Sequence, residues 1–211
     1  MPFAGDSQQQ VMSVLLERKS GATVDEMVDA VGLSRTAVNQ HLLALERERY
    51  VRKADPRKKT GGRPGRIYVL TEEGTNQFPK QYSWFSRLLL ETLREKLGEE
   101  QLSEYMYDLG VKKSAALIPR LVGKNRVERV IEIVAVMNET GFVARTVATK
   151  TDKVPVVECK NCVYHDLSKD FSEVCRFDIG FLSGLMGAEV EHQSCMQRGG
   201  DSCRFRFKPP A

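Results

Sequence analysis

Residues 31–46 read VGLSRTAVNQHLLALE, and this stretch decides the fold of the N-terminal third. Ser34 is a favoured N-cap residue, so a helix is expected to begin directly after it. Val38, Leu42 and Leu45 recur at helical spacing, which predicts one apolar face turned toward a core. The opposite face of this helix is polar and is therefore expected to point outward.

The outward face carries side chains that can hydrogen-bond base edges and phosphates in the DNA major groove. These candidate DNA-binding residues are Arg35, Thr36, Asn39, Gln40 and His41.

The segments on either side of this helix complete a known order of elements. Residues 8–16 and 23–31 have helical apolar spacing, and Thr23 with Glu26 forms a capping-box pattern. Residues 50–70 read as a strand, a basic loop rich in glycine and proline, and a second strand. Two helices, a polar-faced helix and a hairpin follow the order of a winged helix-turn-helix.

The charge of the chain is concentrated in this region. Residues 1–70 hold 12 lysines and arginines against 8 acids, whereas residues 71–211 hold 20 against 20. Residues 52–66 alone hold seven basic residues and one acid, which is typical of a phosphate-binding wing and also of a solvated basic hairpin on an unrelated domain. The wing residues expected to grip the DNA backbone are Arg57, Lys58, Lys59, Arg63 and Arg66.

Two motifs carry a family resemblance across about 65 residues: V-G-L-S-R-T-A-V-N-Q-H-L-L-A-L-E and G-R-P-G-R-I-Y-V-L-T-E-E-G. They resemble the winged-helix domains of ArsR-like and DeoR-like bacterial regulators. The resemblance implies that the chain binds double-stranded DNA as a homodimer at a palindromic operator, because a two-fold dimer reads two half-sites.

Beyond the hairpin, the sequence predicts a helical linker over residues 76–123. Trp84, Phe85, Leu88 and Leu89 begin an apolar stripe at helical spacing, and a second amphipathic run is broken near Pro119. The stripe is interpreted either as a dimer interface or as ordinary core packing.

The remaining residues predict a mixed domain. A third amphipathic helix ends at Gly141, and residues 142–149 and 154–158 are rich in β-branched residues. The expected fold class is therefore α+β, with a winged helix-turn-helix over residues 1–75, the helical linker over 76–123 and a metal-binding sensor domain over 124–211.

All five cysteines lie between Cys159 and Cys203, which in a reducing cytosol points to metal or redox chemistry rather than disulfides. A helix ended by Gly187 and a hairpin turning at residues 199–201 are expected to bring distant cysteines together. The predicted metal ligands are Cys162, Cys175, Cys195 and Cys203, with His192 and Cys159 in reserve. Thiolates in this number suit tetrahedral zinc or an iron–sulfur cluster.

The pattern N-C-V-Y-H, followed by V-C-R-F behind a winged helix, resembles SufR, the repressor family of iron–sulfur cluster assembly genes in cyanobacteria and actinobacteria. The resemblance implies a homodimer in which a 4Fe–4S or 2Fe–2S cluster controls operator binding. The third cysteine of that family falls near position 189, so this chain departs from the pattern with Cys195.

A second resemblance is to the 4-vinyl-reductase-like sensory domains of aromatic-responsive activators, carried by V-C-R-F-D-I-G-F-L-S-G-L-M-G and C-M-Q-R-G-G-D-S-C. It implies zinc, held here by Cys175, His192, Cys195 and Cys203, with His192 where that family has glutamate. The expected effector pocket is lined by Phe142, Phe177, Phe181, Leu182 and Met186.

Zinc would leave Cys159 and Cys162 unused, which favours a cluster. A metal-free thiol redox switch is the third alternative. No serine or cysteine has a recognisable base partner in the sequence, so an enzyme is not expected. No stretch is apolar enough to span a membrane, and the N-terminus lacks the features of a signal peptide, so the expected location is the cytoplasm.

Overall fold

The computed structural model describes residues 6–54, 66–148 and 154–209. The chain forms two compact units, an N-terminal unit over residues 1–80 and a C-terminal unit over residues 81–211.

The first three helices of the N-terminal unit lie close to where the sequence predicts them. The Thr23 side chain accepts from the Glu26 amide and the Glu26 carboxylate accepts from the Thr23 amide, which is the expected capping box. Ser34 caps the third helix by accepting from the Ala37 amide at 3.2 Å. The helices are α1 (Asp6–Glu17), α2 (Val24–Val31), α3 (Arg35–Arg47) and α4 (Glu72–Asn76).

A three-stranded antiparallel sheet completes this unit. Strands β1 (Ala22–Thr23), β2 (Val51–Ala54) and β3 (Ile67–Leu70) lie in the order β1-β3-β2. The two-residue strand β1 is too short for an alternating pattern and was not expected from the sequence. Helices α1, α2 and α3 enclose a core with buried residues from each of them. This order of elements is a winged helix-turn-helix.

The C-terminal unit begins with helices that lie in the expected linker. They are α5 (Tyr82–Leu97), α6 (Glu99–Ser114) and a 3-10 turn (Ala115–Leu121) that contains Pro119. The next helix, α7 (Arg126–Glu139), lies in the segment expected to belong to the sensor domain. Two further helices follow the first two strands of this unit: α8 (His165–Ser168) and α9 (Val174–Met186).

A four-stranded antiparallel sheet packs against these helices. Its strands are β4 (Ala144–Val147), β5 (Val156–Cys159), β6 (Val190–Ser194) and β7 (Cys203–Phe207), in the order β4-β5-β7-β6. One core contains buried residues of α7, of α9 and of all four strands. Strand β6 contributes Val190 to it. Mixed helix and sheet content fits the predicted α+β class.

Helices α6 and α9 cross at glycines. A Cβ added at Gly110 would overlap the backbone of Phe177, and one added at Gly180 would overlap the carbonyl oxygen of Tyr107. The two helix backbones are therefore in direct contact. Residues 81–123 and residues 124–211 belong to the same compact unit.

Candidate DNA-binding face and metal site

Helix α3 presents most of its predicted DNA-binding residues to solvent. Arg35, Thr36 and Gln40 are exposed, while Val38, Leu42 and Leu45 are buried on the opposite side. Asn39 is half-buried, and its amide donates to the Arg35 carbonyl at 2.9 Å. His41 is half-buried as well, because it follows the helix round toward the core.

The polar face of α3 includes an ion pair that the sequence did not indicate. The guanidinium of Arg35 donates to the carboxylate of Asp25 in α2, and both side chains are exposed. An incoming phosphate would compete with Asp25 for this guanidinium. Asp25 would therefore weaken any contact between Arg35 and a DNA phosphate.

Four of the predicted wing contacts, Arg57, Lys58, Lys59 and Arg63, lie outside the described residues. Arg66 is exposed directly before β3. On β2, Lys53 pairs with Glu46 of α3 at 2.9 Å, so this lysine is held by a carboxylate of the α3 helix.

The four predicted cysteine ligands line one small cavity of the C-terminal unit, together with His192. Each comes from a different segment. Cys162 follows β5, Cys175 lies in the first turn of α9, Cys195 follows β6, and Cys203 begins β7. Pairing of β6 with β7 brings the last two together, as the predicted hairpin requires.

Three side chains in this cavity are close enough to share one metal ion. The ligand atoms of His192, Cys195 and Cys203 all lie within 4.8 Å of one another. The thiol of Cys175 lies beside that of Cys195, and the sulfur of Cys162 is 3.7 Å from the Ser168 hydroxyl. The group formed by His192, Cys195 and Cys203 could hold a metal ion.

The imidazole of His192 has an independent feature of a metal ligand. Its Nε2 atom is buried and has no hydrogen-bond partner among the described residues. The imidazole stacks on Phe205 with ring centroids 4.5 Å apart, and burial lowers the pKa of His192 to about 4. The imidazole is therefore neutral near pH 7, which is the form that binds metals. A buried, unsatisfied nitrogen beside two thiols fits a metal ligand.

The surroundings favour neutral thiols when no cation is present. Burial raises the pKa of Cys203 to about 12 and also raises the pKa of Cys175. The Met196 amide donates to the Cys203 sulfur at 3.5 Å and acts in the opposite direction on the pKa of Cys203. Metal binding would release these protons, so metal affinity should fall in acid.

The reserve ligand Cys159 lies in the hydrophobic core instead. It is fully buried, and its sulfur is 4.0 Å from the Met137 sulfur. Burial raises the pKa of Cys159 to about 12. Cys159 does not line the cysteine cavity.

A larger apolar pocket of about 360 Å³ adjoins the cysteine cavity. Phe142, Tyr164 and Asp178 line both spaces. The pocket is also lined by Met137, Thr140, Val163, Phe177, Phe181 and Leu182. Four of the five residues expected in an effector pocket are therefore present. Met186 is not, because α9 turns its side chain into the core.

Asp178 is the site residue that sequence reasoning missed. It lies three residues after Cys175, so both side chains share one face of α9. Burial raises the pKa of its carboxyl group to about 7. A single acid inside the apolar run R-F-D-I-G-F-L was the available signal.

Within the described residues, no helix is both long and apolar enough to cross a membrane. A search of curated proteins found no match to this chain. Residues 8–89 match a family model described as a winged helix DNA-binding domain, in agreement with the element order of the N-terminal unit. The match supports a DNA-binding transcriptional regulator rather than an enzyme: the chain carries a winged helix DNA-binding domain at its N-terminus.

Proposed function

We propose that the protein is a homodimeric transcriptional regulator whose affinity for a palindromic operator is controlled by an iron–sulfur cluster. Cys162, Cys175, Cys195 and Cys203 would hold the cluster. The observation that carries the proposal is that these four cysteines, from four separate segments, line one cavity in the unit that follows a winged helix domain along the chain.

The choice of a cluster rests on the number of thiols. Four cysteine thiolates are the usual ligand complement of both 2Fe–2S and 4Fe–4S clusters. A mononuclear site made with His192 would leave Cys162 unused, although Cys162 lines the same cavity. The present spacing, with three ligand atoms within 4.8 Å, suits a single tetrahedral ion, whose ligands lie about 3.8 Å apart. Cluster binding would therefore require the cysteine side chains to spread.

The neighbouring residues suit a redox-active group. A cluster supplies electron-transfer chemistry, and hydrogen bonds to its sulfur ligands and exclusion of water tune the reduction potential. The Met196 amide donates to the Cys203 sulfur, and Phe142, Tyr164 and Phe205 cover the cavity with apolar surface.

A chain of contacts connects the cavity to the helix that follows the DNA-binding domain. Arg94 of α5 binds Glu173, which lies two residues before Cys175. Helix α9, which carries Cys175, contacts α6 through Gly180. A shift of Cys175 on gain or loss of the cluster would therefore act on α5 and α6. Any effect of the cluster on DNA affinity must be matched by an equal effect of DNA on cluster affinity.

Helix α5 also carries the surface proposed for dimerisation. Tyr82, Trp84, Phe85, Leu88 and Leu89 are exposed along it. A contiguous group of large apolar side chains on a surface marks an interaction site. A second copy of the chain is the proposed partner, because a two-fold dimer would present two winged helices to a palindrome.

The resemblance to SufR extends the proposal to target genes, namely those for iron–sulfur cluster assembly, and to action as a repressor. A direct test is to recover the genomic fragments that the protein binds and to compare their promoters with and without the cluster.

The decisive experiment is anaerobic purification followed by iron, sulfide and zinc analysis, absorbance, and DNA binding of loaded and stripped protein. Cys162→Ser should remove iron and sulfide, whereas His192→Ala should retain both. Cys159→Ala is the matched control and should keep the full cluster. A colourless protein without iron or sulfide would refute the cluster.

A second candidate function is supported by the apolar pocket beside the metal site. In this alternative, Cys175, His192, Cys195 and Cys203 hold zinc, and the pocket binds a small hydrophobic effector. Asp178 favours it, because a carboxyl group in an aromatic-lined pocket would select a ligand with a hydrogen-bond donor.

Zinc that survives purification in air would select this candidate, provided that His192→Ala loses zinc and Cys162→Ser keeps it. Effector candidates should then change DNA affinity, and Phe181→Trp should abolish that response by filling the pocket. Metal-free protein whose DNA affinity changes reversibly with oxidant would select the thiol switch instead.

A further inference from the structure

One apolar side chain stands out on the surface of the N-terminal unit. Leu43 of α3 is 54% exposed. Within the described part of this unit, residues 6–54 and 66–80, it is the only large hydrophobic side chain that is exposed. A single exposed leucine is ordinary on a protein surface. Its position on α3 is what requires an explanation.

Leu43 lies on the face of α3 that points away from the core. Successive residues of an α-helix are 100° apart, so Thr36, Gln40, Leu43 and Arg47 form one narrow stripe. Val38, Leu42 and Leu45 point in the opposite direction and are buried. Thr36, Gln40 and Arg47 are also exposed. Leu43 therefore interrupts a stripe of hydrogen-bonding side chains on the helix that a winged helix domain places in the major groove.

The major groove presents one apolar group that a leucine can recognise. Thymine carries a C5-methyl group there, whereas the other recognition groups of the four base pairs are hydrogen-bond donors and acceptors. A leucine beside such a donor or acceptor would leave it without a partner, which costs free energy. Contact with the methyl group would instead remove apolar surface of both partners from water.

We propose that Leu43 is a specificity-determining residue that packs against a thymine methyl group in each half-site. The thymine lies next to the base pair contacted by Gln40, since these residues are adjacent on the stripe. This assignment rests on the proposed function of the domain as a DNA reader and is independent of which metal the C-terminal unit holds.

The test begins with selection of binding sites from a random duplex library by the full-length wild-type protein. Each thymine of the selected half-site is then replaced by deoxyuridine, which removes only the methyl group. Affinity is measured by fluorescence anisotropy at fixed salt, with protein in the metal state that binds more tightly. At one position the replacement should weaken wild-type binding about four-fold, the equivalent of about 0.8 kcal/mol for one buried methyl group.

The variant Leu43→Ala completes the comparison. It should bind the thymine and deoxyuridine duplexes with equal affinity at that position, and it should fold normally because Leu43 is exposed. Val122→Ala, which shortens a more exposed apolar residue of the C-terminal unit, should keep the wild-type methyl dependence.

The outcomes separate the two levels of the proposal. Sequence-selective binding that ignores every thymine methyl, or methyl dependence that persists in Leu43→Ala, would overturn the role of Leu43 while leaving a DNA-binding regulator intact. Failure to select any sequence would overturn DNA reading itself, and the role of Leu43 with it.

Discussion

Arg94 and Glu173 form a two-point ion pair within the C-terminal unit. The Arg94 Nε and Nη2 atoms each donate to a Glu173 carboxylate oxygen at 2.8 Å. Glu173 is only 2% exposed, and the guanidinium lies 4.3 Å from the centroid of the Phe171 ring. The pair thus fixes α5 to the segment that enters α9 just before Cys175.

Removing the Arg94 cation should destabilise the C-terminal unit strongly. Arg94→Met would leave Glu173 as a buried, unpaired charge, which typically costs about 3–5 kcal/mol. Arg87→Met is the matched control, because Arg87 pairs with Asp170, which is 55% exposed. Such exposed pairs contribute about 0–1 kcal/mol. Chemical denaturation should show a much larger loss of unfolding free energy for Arg94→Met, and equal losses would contradict the burial argument.

A milder change at the same position should uncouple the metal site from DNA. Arg94→Lys keeps the positive charge but cannot make the two-point contact with Glu173. Metal content should stay at the wild-type value, while the ratio of operator affinities between metal-loaded and stripped protein should move toward one. Titrations of operator DNA by both forms check this expectation. An unchanged ratio would show that coupling does not pass through this pair.

The close crossing of α6 and α9 makes Gly180 sensitive to a single methyl group. In Gly180→Ala the new Cβ would overlap the Tyr107 carbonyl oxygen, which is backbone and cannot rotate away. Separating the helices should cost about 3 kcal/mol, at the upper end of ordinary overpacking. Gly187→Ala, at the end of the same helix, meets open space and carries only the strain of its left-handed φ of 64°, about 1–2 kcal/mol. Thermal unfolding should therefore separate the two variants, and a smaller effect at Gly180 would contradict the crossing.

The sequence predicted the local framework of the cysteine site well. Gly187 ends α9 in the left-handed conformation, and the turn near Gly199 lies between Cys195, which follows β6, and Cys203, which begins β7, both as expected. These features depend on residues close in sequence. Cap residues, turn glycines and alternating apolar positions therefore suffice to predict them.

The direction in which a side chain faces was harder to predict for elements that are buried on both faces. Every residue of β5 is buried, so alternation does not reveal that Cys159 faces the core while its neighbour Glu158 faces the arginines of β4 and β7. Met186 was likewise expected in the pocket and lies in the core. The glycine contact between α6 and α9 joins residues about 70 positions apart, and no local pattern encodes it.

The ion pair between Arg35 and Asp25 should limit DNA affinity. Asp25→Asn removes the carboxylate that competes with phosphate for Arg35 and also removes one negative charge near the DNA. Affinity for any duplex should rise several-fold, and more at low salt. Asp29→Asn, an equal charge change on the same helix, is the control for long-range charge. The prediction fails if both variants gain affinity to the same extent.

The buried carboxylate of Glu158 should make the stability of the C-terminal unit depend on acid pH. Arg204 donates to it at 2.7 and 2.9 Å and Arg145 at 2.7 Å, and these bonds lower the pKa of Glu158 from 4.5 to about 2. A carboxyl group whose pKa is lower in the folded state stabilises that state above its unfolded pKa. Its contribution is therefore complete above about pH 4.5 and is lost as the pH falls toward 2.

Glu158→Gln should remove this dependence, because the amide does not titrate. The difference in melting temperature between wild type and Glu158→Gln should be largest above pH 5 and should shrink steadily between pH 4.5 and 2. Thermal scans of metal-free protein are required, since acid also protonates the cysteine and histidine ligands. Glu191→Gln, which disrupts the more exposed pair with Arg206 at 3.5 Å, is the matched control and should follow the wild-type profile closely. A constant difference between wild type and Glu158→Gln across this range would mean that Glu158 stabilises the sheet by packing rather than by its charge.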